Sequence, residues 1–223
     1  MTNSDLQEQV NRFTSETETL LRACFDDVPD SEVKTLGERV VTDIKPVTLK
    51  AKGRPLAELH VFQRFRLDST ETYLAVEQSV FKLTAKIDRT PIVRYDYDRD
   101  ARSKPSSHIQ LHAHRGAISH LLSQTRHSNP HELASLHFPT GGARFRPCLE
   151  DFVEFLIRDC RLDAKAGWEK EVEAGRERWR RLQVRAVVRE VPSEAVAVLE
   201  RLGYKVQPPE ETRLDSQKAL RTW

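Results

Sequence analysis

Three features of the sequence predict an α+β fold. From about residue 38 to 114, β-branched and aromatic residues alternate with polar ones in five short runs. The links between those runs are short and carry turn residues, so no crossover long enough for a parallel sheet separates them. Before and after this region the apolar residues recur every three or four positions, the period of a helix. The predicted architecture is an antiparallel five-stranded meander sheet with an N-terminal helix and a helical C-terminal half packed on one face.

The elements follow in chain order. Leu6, Val10, Phe13, Thr17, Leu20, Leu21 and Cys24 put one apolar face on the N-terminal helix, and Ser4 with Gln7 forms a capping-box start. The segment FDDVPDSE reads as an acidic turn that ends it. The five strands are RVVTDIKPVTLK, ELHVFQRFRL, TYLAVEQSVFKLTAK, PIVRYDYD and HIQLHAH. Pro46 cannot donate to a ladder, so the first of these is an edge or a bulged strand. After residue 115, RGAISHLLSQ reads as a short helix opened by Gly116. SNPHELASL reads as a second, with Asn129 as cap and Pro130 at the first position. HFPTGG is extended. PCLEDFVEFLIRDC is a helix with Leu149, Phe152, Val153, Leu156 and Cys160 on one face. Residues 163–182 form a charged helix, and QVRAVVREV is either a strand or its continuation. A last helix runs from Ser193 to Leu202 and is stopped by Gly203. The organisation expected is a core domain over 1–160, a helical extension over 161–207 and a loose tail over 208–223.

Composition limits the function classes. A chain of 223 residues, 38% hydrophobic and 31% charged, is a folding globular sequence rather than a disordered one. A formal net charge of +2 gives no general attraction to nucleic acid or acidic membranes, so such binding needs a local patch. No apolar run approaches the roughly 20 residues of a membrane span, and MTNSDLQEQ lacks a signal-peptide core. Cys24, Cys148 and Cys160 are widely spaced, which suits a reducing compartment. The expectation is a cytoplasmic protein without a membrane partner.

Seven of the eight histidines lie between 108 and 137. Strand alternation puts His108, Gln110, His112 and His114 on one face, opposite Ile109, Leu111 and Ala113. The preceding strand divides likewise into Arg94, Asp96 and Asp98 against Val93, Tyr95 and Tyr97. Joining the two apolar faces to one core brings the polar faces together, because a one-residue slip would mix them. Three readings of the cluster stay open. In the first, His108, His112 and His114 carry protons, Asp96 orients one of them and Arg94 holds a phosphate. In the second, His112 and His114, roughly 7 Å apart along a strand, bind one divalent metal ion with Asp96 or His108 as a third ligand. In the third, the face is a solvated or partner-binding surface of a non-catalytic regulatory protein.

PIVRYDYDRD followed by SHIQLHAH resembles the R-Y-D then H-x-H arrangement of a small bacterial toxin-like family found in toxin–antitoxin loci. The resemblance covers about residues 73–114. That family usually has asparagine after the aspartate, where this chain has Tyr97. The resemblance implies action on RNA or a nucleotide, functional positions at Arg94, Asp96, His108, His112 and His114, and a neutralising antitoxin-like protein partner; the histidine, aspartate and arginine chemistry of the first reading needs no cofactor.

Two further stretches can bind anions. FPTGGARFRP sets two glycines and then Arg144 and Arg146 before a helix start, a candidate phosphate site expected to sit beside the histidine strand. RERWRRLQVRAVVR, residues 176–189, has six arginines against one glutamate and includes Trp179, a pattern that can track a nucleic-acid backbone or form a solvated helix face. Trp168 and Trp179 are read as core residues. His120, His127, His131 and His137 are read as cap, surface or core residues.

Overall fold

The computed structural model describes residues 3–68, 72–125, 127–211 and 213–222, and side chains from residue 6 onward. The cap expected at Ser4 therefore lies outside the described side chains. The element order is α1 (Asn3–Cys24), β1 (Ser31–Leu36), β2 (Arg39–Ala51), β3 (Arg54–Leu67), β4 (Leu74–Ala85), β5 (Pro91–Asp98), β6 (Ser107–Leu111), α2 (Gly116–Ser123), a 3₁₀ turn (Leu133–Ser135), β7 (Phe138–Pro139), α3 (Leu149–Arg158), α4 (Trp168–Glu190), α5 (Pro192–Arg201) and α6 (Gln217–Arg221). The fold is α+β, with the seven strands in sequential order and every neighbouring pair antiparallel.

Five strands were expected, and seven are present. The additional β1 is an edge strand with mostly exposed residues, so SEVKTL carries no apolar alternation. The additional β7 is two residues long, too short for any period. Pro46 sits in a bulge: Ile44 pairs with Val61 and Val47 with Leu59, so Lys45 and Pro46 fall out of the ladder. A second irregularity lies in β4, where Phe65 pairs with Val76 and Arg64 with Gln78. The extra residue, Glu77, is only 2% exposed and is ringed by Arg39, Arg64 and Arg66. Burial alone would raise its pKa; the arginines outweigh burial and hold the carboxyl below its ordinary value.

One face of the sheet carries the main core. Val47, Leu49, Leu59, Val61, Phe81, Leu83 and Val93 meet Leu20, Leu21 and Cys24 of α1, and Phe152, Val153 and Leu156 of α3. Phe152 is fully enclosed, its ring 4.7 Å from that of Tyr95. Leu162, Trp168 and Val172 join the same cluster, so the first turns of α4 belong to the core layer. A smaller cluster of Leu6, Val10, Val40 and Phe65 lies under the first half of α1.

The C-terminal half is helical in part and does not pack on one face alone. SNPHELASL forms only the 3₁₀ turn, not a helix. This turn and the chain after it lie across the opposite face, where Gln110 Nε2 donates to Ala134 O at 2.9 Å. The chain passes the sheet edge through β7 and returns to the core face. QVRAVVREV continues α4, which breaks only before Pro192. The segment read as a loose tail is tied back: Ser216 N donates to Glu190 O at 2.7 Å, and Ser193 bonds Asp215. No described helix is long and apolar enough to cross a membrane.

Truncating Phe152 to alanine should cost about 3–5 kcal/mol of unfolding free energy, read as a lower urea midpoint. Ile87→Ala, at a position 98% exposed, should change it by no more than about 0.5 kcal/mol. Equal effects would contradict this placement of the core.

Candidate functional site

The register of the β5–β6 hairpin assembles part of the predicted cluster. Asp96 lies directly opposite His108, and Arg94 opposite Gln110. Arg94 donates to Asp96 at 2.8 Å, and His108 Nε2 stands 3.8 Å from the same carboxylate. His108 Nδ1 is 2.9 Å from the Pro105 carbonyl, an acceptor only, so Nδ1 carries the proton and Nε2 is bare. Among the described residues Arg94 Nε, Asp96 Oδ1, His108 Nε2 and His112 Nε2 have no hydrogen-bond partner.

Two expectations for this cluster are corrected. β6 ends at Leu111, so His112 and His114 lie beyond the strand and are not side-by-side strand residues. His112 is half-buried, held by its backbone bond to Ile92 O, and His114 is exposed. Among the described residues no group of three or more His, Cys, Asp or Glu is placed to hold a metal ion, which removes the geometric basis for a site on His112, His114 and Asp96. The face is also not solvated at this point. His108 is 1% exposed and Asp96 6%, because the segment after the 3₁₀ turn covers them. His137 contributes that cover, its ring 4.6 Å from His108. Burial lowers the His108 pKa, with Lys104 and His137 adding to the shift and the Pro105 bond and Asp96 opposing it.

The anion-binding stretches meet on the other face. Tyr97 follows Asp96 in β5 and points the opposite way. Over its ring lies Arg146, whose guanidinium carbon is 4.0 Å from the Tyr97 centroid and 4.5 Å from that of Trp179. Arg144 and Arg146 therefore sit across the sheet from His108, not beside it. Arg144 is committed to a bidentate pair with Glu190. Arg146 is 6% exposed, donates to Ala143 O, and among the described residues has no carboxylate partner. Burial pulls its pKa down to about 10, so it remains charged at neutral pH.

Arg146 lies at the inner end of a cleft of about 910 Å³ between α1, the end of β5, α4 and the returning tail. Nine arginines line it against three acids, Glu16, Asp68 and Glu190. Arg178, Arg181, Arg185 and Arg189 come from α4, at the three- and four-residue spacing that shares one helix face. Arg12, Arg99 and Arg213 come from three other parts of the chain, and form no ion pair among the described residues. Tyr73 supports Arg189, 4.3 Å from its ring.

Tyr97, Trp179, Gln63 and Ser79 join the site although none stands among the residues expected from the sequence. Trp179 stood in plain view among the arginines. Gln63 and Ser79 carried a weaker signal: each is a polar residue at a position where its strand's alternation calls for an apolar one.

The His108 shift makes the fold sensitive to acid. A histidine whose folded pKa lies below its unfolded value of about 6.5 contributes stability above that value and loses it as pH falls. Urea midpoints should therefore drop between pH 7.5 and 5.5, and His108→Gln should shrink that drop. An undiminished drop would show that His108 does not contribute to it.

The chain matches no protein-family model, no curated protein and no solved structure.

Proposed function

We propose that the protein binds RNA or a nucleotide through its phosphates in the arginine-lined cleft. The observation that carries this reading is the unbalanced charge of the cleft, nine arginines to three acids in a chain whose formal net charge is only +2. Guanidinium groups suit phosphate because their donors form a planar fork. Arg144, Arg178 and Arg181 have carboxylate partners; Arg12, Arg99, Arg146, Arg185, Arg189 and Arg213 make no ion pair among the described residues, and a polyanionic ligand supplies their counter-charge.

A second reading keeps phosphoryl chemistry at Arg94, Asp96 and His108, in keeping with the toxin-like resemblance. The bare His108 Nε2 beside Asp96 favours it. Substrate would reach that nitrogen only if the segment carrying His137 moved aside. Under this reading, expression should slow growth of a host cell and His108→Gln should relieve it. Harmless expression of the wild type would sink it.

For the binding reading, the measurement is the affinity for single-stranded RNA across a salt series. The wild type should bind with a clear log–log salt slope. Arg185→Gln with Arg189→Gln should weaken binding about 10-fold and lower the slope by about 0.7 for each phosphate that is no longer neutralised. Lys86→Gln, on an exposed turn outside the cleft, should leave both unchanged. A wild type that binds no RNA or nucleotide at low salt would refute the proposal.

A further inference from the structure

The cleft continues inward over an unusual part of the core. On the buried face of the sheet, Thr42 pairs with Gln63, Gln63 with Ser79, Ser79 with Tyr97, and Tyr97 with Ser107. These five polar residues form one row across five strands, β2 to β6, and each is no more than 6% exposed. Ser107 extends the row beyond the strand through its 2.6 Å bond with Thr140. The row lies between the two apolar clusters, where packing alone would select apolar side chains. A buried polar group costs free energy unless it is bonded, so a row of them needs a reason.

Its middle opens into a recess of about 50 Å³. Gln63 and Ser79 form the floor, Thr17 and Phe13 the α1 side, and Trp179 the α4 side. Arg146 and Arg178 line both recess and cleft, so the two are continuous. The recess has room for a small polar group and is too small for a nucleoside.

We propose that this recess holds a terminal phosphomonoester, so that the ligand in the cleft is bound by its phosphorylated end. The inference rests on the reading of the cleft as a phosphate site. The Arg146 guanidinium carbon lies over the rings of both Tyr97 and Trp179. Only its bond to Ala143 O is made among the described residues. The Ser79 hydroxyl and the Gln63 amide add neutral donors. Two carboxyls also line the recess: Glu16, paired with Arg178, and Glu150, whose pKa burial raises. The α4 arginines from Arg178 to Arg189 then follow the rest of the ligand over about 16 Å of helix, more than a single nucleotide needs. An internal phosphodiester carries one charge and two chain connections, and would not enter a closed end.

The test is fluorescence anisotropy with one RNA sequence carrying a 5′-phosphate, a 3′-phosphate or hydroxyls at both ends, with AMP as competitor. One phosphorylated end should bind at least about 10-fold tighter than the hydroxyl-ended strand, about 1.4 kcal/mol. In Ser79→Ala and in Gln63→Leu that ratio should fall towards one; the two variants are near in shape to the native residues, so both need not fail to fold. Competition by AMP as strong as by the phosphorylated strand supports the recess and assigns it to a free nucleotide. Equal, salt-dependent binding of all three strands overturns the recess while leaving the cleft reading intact. Binding of none overturns both.

Discussion

A guanidinium clasped between two aromatic rings governs the architecture of the functional face. Arg146 links the loop before α3 to Tyr97 of the sheet and Trp179 of α4. Such contacts contribute on the order of 0.5–2 kcal/mol each, whereas taking an ion out of water costs several. The rings therefore orient the charge without offsetting its burial. The charge nevertheless persists, because a pKa of about 10 keeps it protonated at neutral pH. A buried cation with no carboxylate partner among the described residues is the feature that an anionic ligand explains, and the arginines along α4 are turned to the same space.

The two faces of the sheet have separate chemistry for a simple geometric reason. Successive residues of a strand point in opposite directions, so Asp96 and Tyr97 open onto different sides. The Asp96 side holds a compact His–Asp–Arg cluster sealed beneath the 3₁₀ turn and His137. The Tyr97 side holds the polar row, the recess and the arginine cleft. The resemblance to a toxin-like family rests on residues of the first side; the space and charge for a ligand are on the second. The glycine at 175 contributes to the second side, since a Cβ there would meet the Glu150 side chain and oblige it to shift.

Much of the fold was legible because burial imposes alternation. β2 to β5 showed it clearly, and the requirement that Val93, Tyr95 and Ile109 share one core put Asp96 and His108 on the same face; the register that sets them directly opposite came only with the structure. Edge strands gave no such signal: β1 is largely exposed, and β7 is two residues long. The site was less legible. Thr42, Gln63 and Ser79 are single polar residues in three separate strands, and they become a row only through a register shaped by bulges at Pro46 and Glu77. His112 and His114 failed as strand residues because periodicity says nothing about where pairing stops. Arg144 and Arg146 were visible as an anion-binding pair, yet their burial, and the commitment of Arg144 to Glu190, depend on residues more than thirty positions away.

The most direct measurement is an NMR titration that follows the arginine Nε–H resonances and the Trp179 indole as single-stranded RNA is added. The account predicts saturable shifts at Arg146, Arg185 and Trp179, with Arg94 and Arg39 unmoved. Shifts at Arg94 and the His108 ring, with Arg146 and Trp179 unmoved, would place the ligand on the opposite face and contradict it.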